Sequence, residues 1–170
     1  SDVCSSDLGI YTISPDSSAS YGTSLFAFGP DFPIMHSEES MLEPLRFLCT
    51  SSEFNKLESS TEEINRVNVF WLRIGGNEAR AKELKRRFYE RIAESNRFFS
   101  SFVEGWRTDR GMIYLLFGPP DRVERKENME IWTYNAVPST YVFRKVESPF
   151  HVSQWILDRS EIYRSEEHTS

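Results

Sequence analysis

The side chains able to do chemistry in this 170-residue chain gather in one stretch. Trp106, Arg107, Thr108, Asp109 and Arg110 are consecutive, with Glu104 two residues before them and Asp121 eleven residues after. A carboxylate between guanidinium groups and an indole suits two different roles. In the first, Trp106, Arg107, Thr108, Asp109 and Arg110 rim a binding groove for a protein or polymer partner, since Arg and Trp carry much of the energy of such contacts. In the second, Asp109 works with another carboxylate, Asp121 or Glu104, in a hydrolase-like site; glycosidic chemistry would need them roughly 5–9.5 Å apart. A structural reading competes with both. Thr108 and Asp109 are each N-cap residues, worth ~1 kcal/mol at a helix start. Gly105 and Gly111 relieve backbone crowding, Trp106 can bury a large apolar area against a neighbouring helix, and Arg110 has Asp109 and Asp121 within sequence reach.

Elsewhere the chemical inventory is thin. His36 and His151 lie far apart with no partner spacing near either, whereas a metal centre needs several converging ligands. Cys49, flanked by Phe47 and Leu48, reads as a buried thiol and not a nucleophile. Gly75-Gly76 lacks the Lys and Ser or Thr of a phosphate loop. No catalytic triad, metal or cofactor is expected.

The two ends carry a separate signal. Residues 1–8, Ser-Asp-Val-Cys-Ser-Ser-Asp-Leu, and 164–170, Arg-Ser-Glu-Glu-His-Thr-Ser, translate the two strands of one common sequencing adapter, so both are expected to be artefacts and excluded from fold reasoning. Removing Asp2 and Asp7 from one end, and Arg164, Glu166 and Glu167 from the other, takes the net charge from −6 to −3. Such a balance lacks the concentrated basic face of a nucleic-acid binder. No apolar run approaches the roughly 20 residues of a membrane-spanning helix.

The elements that must position the central stretch follow from periodicity. Residues 9–33 are rich in Ser, Pro and Gly, with strand candidates at 10–13 and 24–28, and read as the end of an upstream β-rich domain with its linker. Ser37-Glu38-Glu39-Ser40 opens a helix that Pro44 must delay or bend, and 52–57 adds a further turn. Ile64, Val67, Phe70, Trp71 and Ile74 form one stripe of a core helix ending at Gly75-Gly76. Asn77 caps a long helix reaching about Phe99, whose basic residues are interleaved with glutamates as on a solvated face. Residues 110–117 read as a short helix stopped by Gly118-Pro119-Pro120, or equally as a buried strand over 113–117. Beyond Asp121 the segments 122–125, 130–134 and 140–146 read as an antiparallel meander, with 152–157 a last strand or turn.

Gly105, Trp106, Thr108 and Asp109, continued by Arg110-Gly111-Met112-Ile113-Tyr114 and Phe117-Gly118-Pro119-Pro120-Asp121, resemble the pattern for which the bacterial GWxTD domain is named. Phe70-Trp71-Leu72 and Glu130-Ile131-Trp132-Thr133-Tyr134 extend the likeness over residues 32–163. The resemblance implies an uncharacterised bacterial family, often exported and often preceded by a β-rich domain, with no assigned reaction. The layout of short helix, Gly-x-Pro stop and meander is also similar, by fold analogy alone, to the small lipoprotein of the outer-membrane barrel-assembly machinery. The expected fold is α+β, with N-terminal helices packed on a small C-terminal antiparallel sheet and a truncated domain over 34–163. The expected function is a non-enzymatic interaction or structural module of the cell envelope, periplasmic or outer-membrane associated, with a protein or polymer partner. The alternative is the hydrolase-like enzyme built on Asp109.

Overall fold

A computed structural model describes residues 9–13, 23–60, 65–147 and 153–160. The expectations on both ends, Ile64 and His151 lie outside them.

Each helix begins where a side chain satisfies an orphan backbone amide. In α1 (Glu38–Leu42) the Ser37 hydroxyl accepts from the Ser40 amide, with Glu38 and Glu39 in the positively polarised first turn. A 3-10 helix (Glu43–Leu48) continues it and takes Pro44 in its first turn, where the missing N–H costs nothing. A reciprocal capping box between Thr50 and Glu53 starts α2 (Ser51–Glu58). Asn65 caps α3 (Arg66–Gly75), which ends on Gly76 in the left-handed region at φ 73°. Asn77 caps the 22-residue α4 (Glu78–Phe99). After a 3-10 turn (Gly105–Arg107), Thr108 caps α5 (Asp109–Phe117), and Gly118 stops it at φ 82°. The helix and strand readings of 113–117 are thus decided for the helix by its two ends, since the apolar run suits either.

The strands make two antiparallel sheets. A hairpin of β1 (Gly9–Ile13) and β2 (Thr23–Ala27) stands as its own two-stranded sheet. The second sheet is a meander of β3 (Arg122–Lys126), β4 (Met129–Tyr134), β5 (Ser139–Glu147) and β6 (Ser153–Leu157), in that spatial order. Period-2 burial is clean in β4, where Glu130, Trp132 and Tyr134 face inward. The segment expected as a strand or turn at 152–157 is therefore a fourth strand. The architecture is α+β.

Two apolar clusters hold these pieces. The first gathers Leu45, Val67, Trp71, Phe88, Ile92 and Trp106 from the helical region, with the Trp71 and Phe88 rings 5.3 Å apart. The second gathers Ile113, Tyr114, Trp132, Tyr134, Phe143 and Leu157. Phe99, the last residue of α4, lies 5.5 Å from both Tyr114 and Trp132. In place of the expected packing of all the helices of 37–99 on the sheet, the described residues show α5 and the end of α4 against it. The helices α1 to α3 share the first cluster with α4. Because Leu115 belongs to one cluster and Ile113 and Tyr114 to the other, α5 joins them, as does α4 through Ile92 and Phe99. No described helix is long and apolar enough to cross a membrane.

Candidate functional site

The central stretch is built on two glycines. A methyl group on Gly105 would fall 1.8 Å from the Ser95 carbonyl oxygen of α4, and one on Gly111 would fall 1.8 Å from the Gly105 carbonyl oxygen. The backbones of α4, the 3-10 turn and α5 are therefore stacked in contact, a spacing only glycine permits at these two positions. Polar links fix the stack. The Ser100 hydroxyl donates to the Asn96 carbonyl at 2.7 Å and accepts from the Gly105 amide at 2.8 Å. Asn96, almost fully buried, accepts from the Trp106 amide and donates to the Pro33 carbonyl.

On this base the five candidate residues part company. Trp106 is only 2% exposed and belongs to the helical core, 6.0 Å edge-on from Phe47. It does not line the cleft described below. An adjoining hollow of about 550 Å³ beside β2, which shares Phe102 and Arg107 with that cleft, includes Trp106 and Glu104. Arg107 lies over the Trp106 ring at 4.6 Å and is paired to Glu104 at 2.7 Å and to Glu43 at 2.5 Å. Thr108 is the cap, its hydroxyl oxygen accepting from the Gly111 amide at 3.1 Å. Asp109, an equally good cap by type, is used otherwise: its carboxylate accepts from the Leu157 amide of β6 at 2.6 Å. Arg110 pairs with neither Asp109 nor Asp121, the two partners its sequence position suggested. Its guanidinium lies between the rings of Phe99 and Trp155, at 5.2 and 5.1 Å, and 3.5 Å from Glu130. Asp121 instead accepts from the Asn135 amide at 2.7 Å.

Glu130, which holds Arg110 from behind, is the supporting residue that the sequence did not flag. It is 3% exposed, on the buried face of β4. Its carboxylate accepts from the Trp132 indole N–H at 2.5 Å and faces Arg110 and Arg125, each at 3.5 Å. Burial lowers the Arg110 pKa from its ordinary value, and the Glu130 charge opposes that shift. The available signal was its alternation with Trp132 and Tyr134, which places an acid on an apolar face and so demands a cationic partner.

Arg107, Thr108, Asp109 and Arg110 share one cleft of about 380 Å³. Its other walls are the segment 99–103 and residues 153–156 of β6. Asp109 is the sole carboxylate among the described lining residues, and neither Glu104 nor Asp121 lines the cleft. No histidine or cysteine is among them, and no group of three metal-ligating side chains occurs among the described residues. Among the described lining residues no second carboxylate, histidine or cysteine stands beside Asp109 to make an acid and base pair. What the cleft offers is an apolar and aromatic wall, two guanidinium groups already held by carboxylates, and a strand edge.

The family model described as the GWxTD domain matches residues 9–169. The chain belongs to that family. The stretch 105–109 that carries the family's lettering lies in the α4 to α5 stack, with the Thr cap and the Asp bond to β6 placed on it. No curated protein and no solved structure matches the chain.

Proposed function

We propose that this GWxTD domain is a non-enzymatic interaction module of the bacterial cell envelope, and that the cleft between α5, residues 99–103 and β6 is its binding site. One observation carries the reading: Asp109, the only carboxylate among the described residues of the cleft, is committed to a backbone amide of β6, so those residues hold a surface in place and offer no acid and base pair. Aromatic and arginine side chains on a rigid stack suit a protein or polymer partner. The envelope setting, periplasmic or outer-membrane associated, is supported by the family resemblance.

A photoreactive residue in place of Gln154, in the cleft, tests this against a bacterial envelope extract, with Lys126 on the opposite sheet edge as the control position. One cross-linked species specific to position 154 is expected. The reading fails if the purified protein instead turns over a glycan or peptide and Asp109→Asn abolishes turnover without changing the melting temperature.

A further inference from the structure

The two outer strands of the four-stranded sheet are treated differently by the sequence. The edge strand β3, Arg122-Val123-Glu124-Arg125-Lys126, carries four charged residues in five, the usual guard against a further strand pairing with an exposed edge. The opposite edge strand β6, Ser153-Gln154-Trp155-Ile156-Leu157, carries none, and has no proline. Its hydrogen-bond phase is fixed from both sides. Just past the strand, the Asp158 amide donates to Val142 of β5 at 2.7 Å, while the Leu157 amide turns the other way to Asp109. In an antiparallel ladder this direction alternates residue by residue, so the N–H and C=O groups of Ser153 and Trp155 point outward with Leu157. Four consecutive residues of β6, 153–156, line the cleft. Since neighbours in a strand face opposite sides of the sheet, a cleft that touches all four lies along the edge and not on a face.

We infer that the cleft takes an extended, uncharged segment of a partner protein, which adds to β6 as a fifth strand. Outward donors and acceptors alternating along an edge are matched by another extended main chain. Asp109 occupies the Leu157 amide and so ends the pairing there, leaving Trp155 and Ser153 for the incoming strand. Phe99, Val103 and Ile156 offer apolar contacts to its side chains. Arg107 and Arg110 already hold carboxylates and call for no counter-charge. This inference rests on the binding-module reading and names its occupant.

The test uses the full chain, with immobilised random peptides of about ten residues, long enough for one strand, and a glycan array in parallel. Peptides that bind should slow hydrogen exchange at the Trp155 amide by about tenfold or more, because a paired amide exchanges only on opening. N-methylation of alternate peptide amides should weaken binding by about tenfold for each hydrogen bond lost, the change that ~1.4 kcal/mol produces. Ser153→Pro should do the same with an unchanged melting temperature, since it removes an outward N–H at the first residue of the strand, a position that tolerates proline. Peptides that bind while Trp155 exchange and N-methylation have no effect overturn strand addition and leave the binding module standing. Absence of any peptide binding at about 1 mM, near −4 kcal/mol, also overturns it; a bound glycan would then keep the module reading, and silence on both arrays would remove both.

Discussion

Thr108→Ala deletes the oxygen that accepts from the Gly111 amide and should cost about 0.5–2 kcal/mol in a denaturant melt. Asp109→Ala beside it leaves that cap intact, yet should cost about 1–3 kcal/mol, because the Leu157 amide loses a charged acceptor. If Asp109→Ala were harmless and Thr108→Ala were not, the bond to β6 would carry no weight. Glu130→Ala should be harsher, about 3–5 kcal/mol, since it leaves Arg110 without its carboxylate in a largely buried position. One titration follows from Glu83 on α4. Hydrogen bonds from Arg86 and Arg87 pull its pKa from an ordinary 4.5 down to about 2. A depressed folded-state pKa stabilises above the unfolded value and is lost as pH falls through the folded one. The difference in melting temperature between the intact chain and Glu83→Gln should therefore be present at neutral pH and shrink between about pH 4.5 and 2. A constant difference across that window would show that the pairs contribute nothing.

At the scale of elements, the glycine contacts set the tolerance. Gly111→Ala would drive a methyl group into the Gly105 carbonyl, and a backbone obstacle of that kind yields less readily than a side chain. The expected loss is at least the 1–3 kcal/mol typical of overpacking, read as reduced melting temperature with α5 displaced. Much of this level was legible in the sequence. Asn77 as a cap and Gly76 as a stop marked the ends of α4 and α3, and aromatic and β-branched residues set between two turns marked β4 at 130–134. Two things were not. Whether Thr108 or Asp109 caps α5 cannot be told from type, because both side chains suit the task; the choice is made by β6, 48 residues away in sequence. For the same reason Arg110 was matched with nearby acids, whereas its partner, Glu130, comes to it only when the sheet folds against α5.

For the whole molecule, the division of the core into two clusters bridged by α4 and α5 predicts how unfolding proceeds. Leu115, 1% exposed, faces the helical cluster, while Ile113 and Tyr114 face the sheet. Leu115→Ala should cost about 2–5 kcal/mol and lower the stability of both halves together. Hydrogen exchange can check this at amides of α3 and of β5. Loss confined to the helical amides would mean that the halves unfold independently.

Asp158, the residue just past β6, bears on strand slippage. Trp155, Ile156 and Leu157 are all apolar, so moving β6 along β5 by one residue would still bury an apolar side chain, and hydrophobic patterning alone does little to forbid the slip. A slipped strand keeps its ladder only by turning over, and another outward amide would then meet Asp109, so the bond from α5 does not forbid the slip either. Asp158 does: its carboxylate, paired with Arg144 at 2.5 Å, would be carried to the opposite face of the sheet. The alignment of the last strand is thus marked by the charge that follows it, a task that hydrophobic pattern performs unaided in β4.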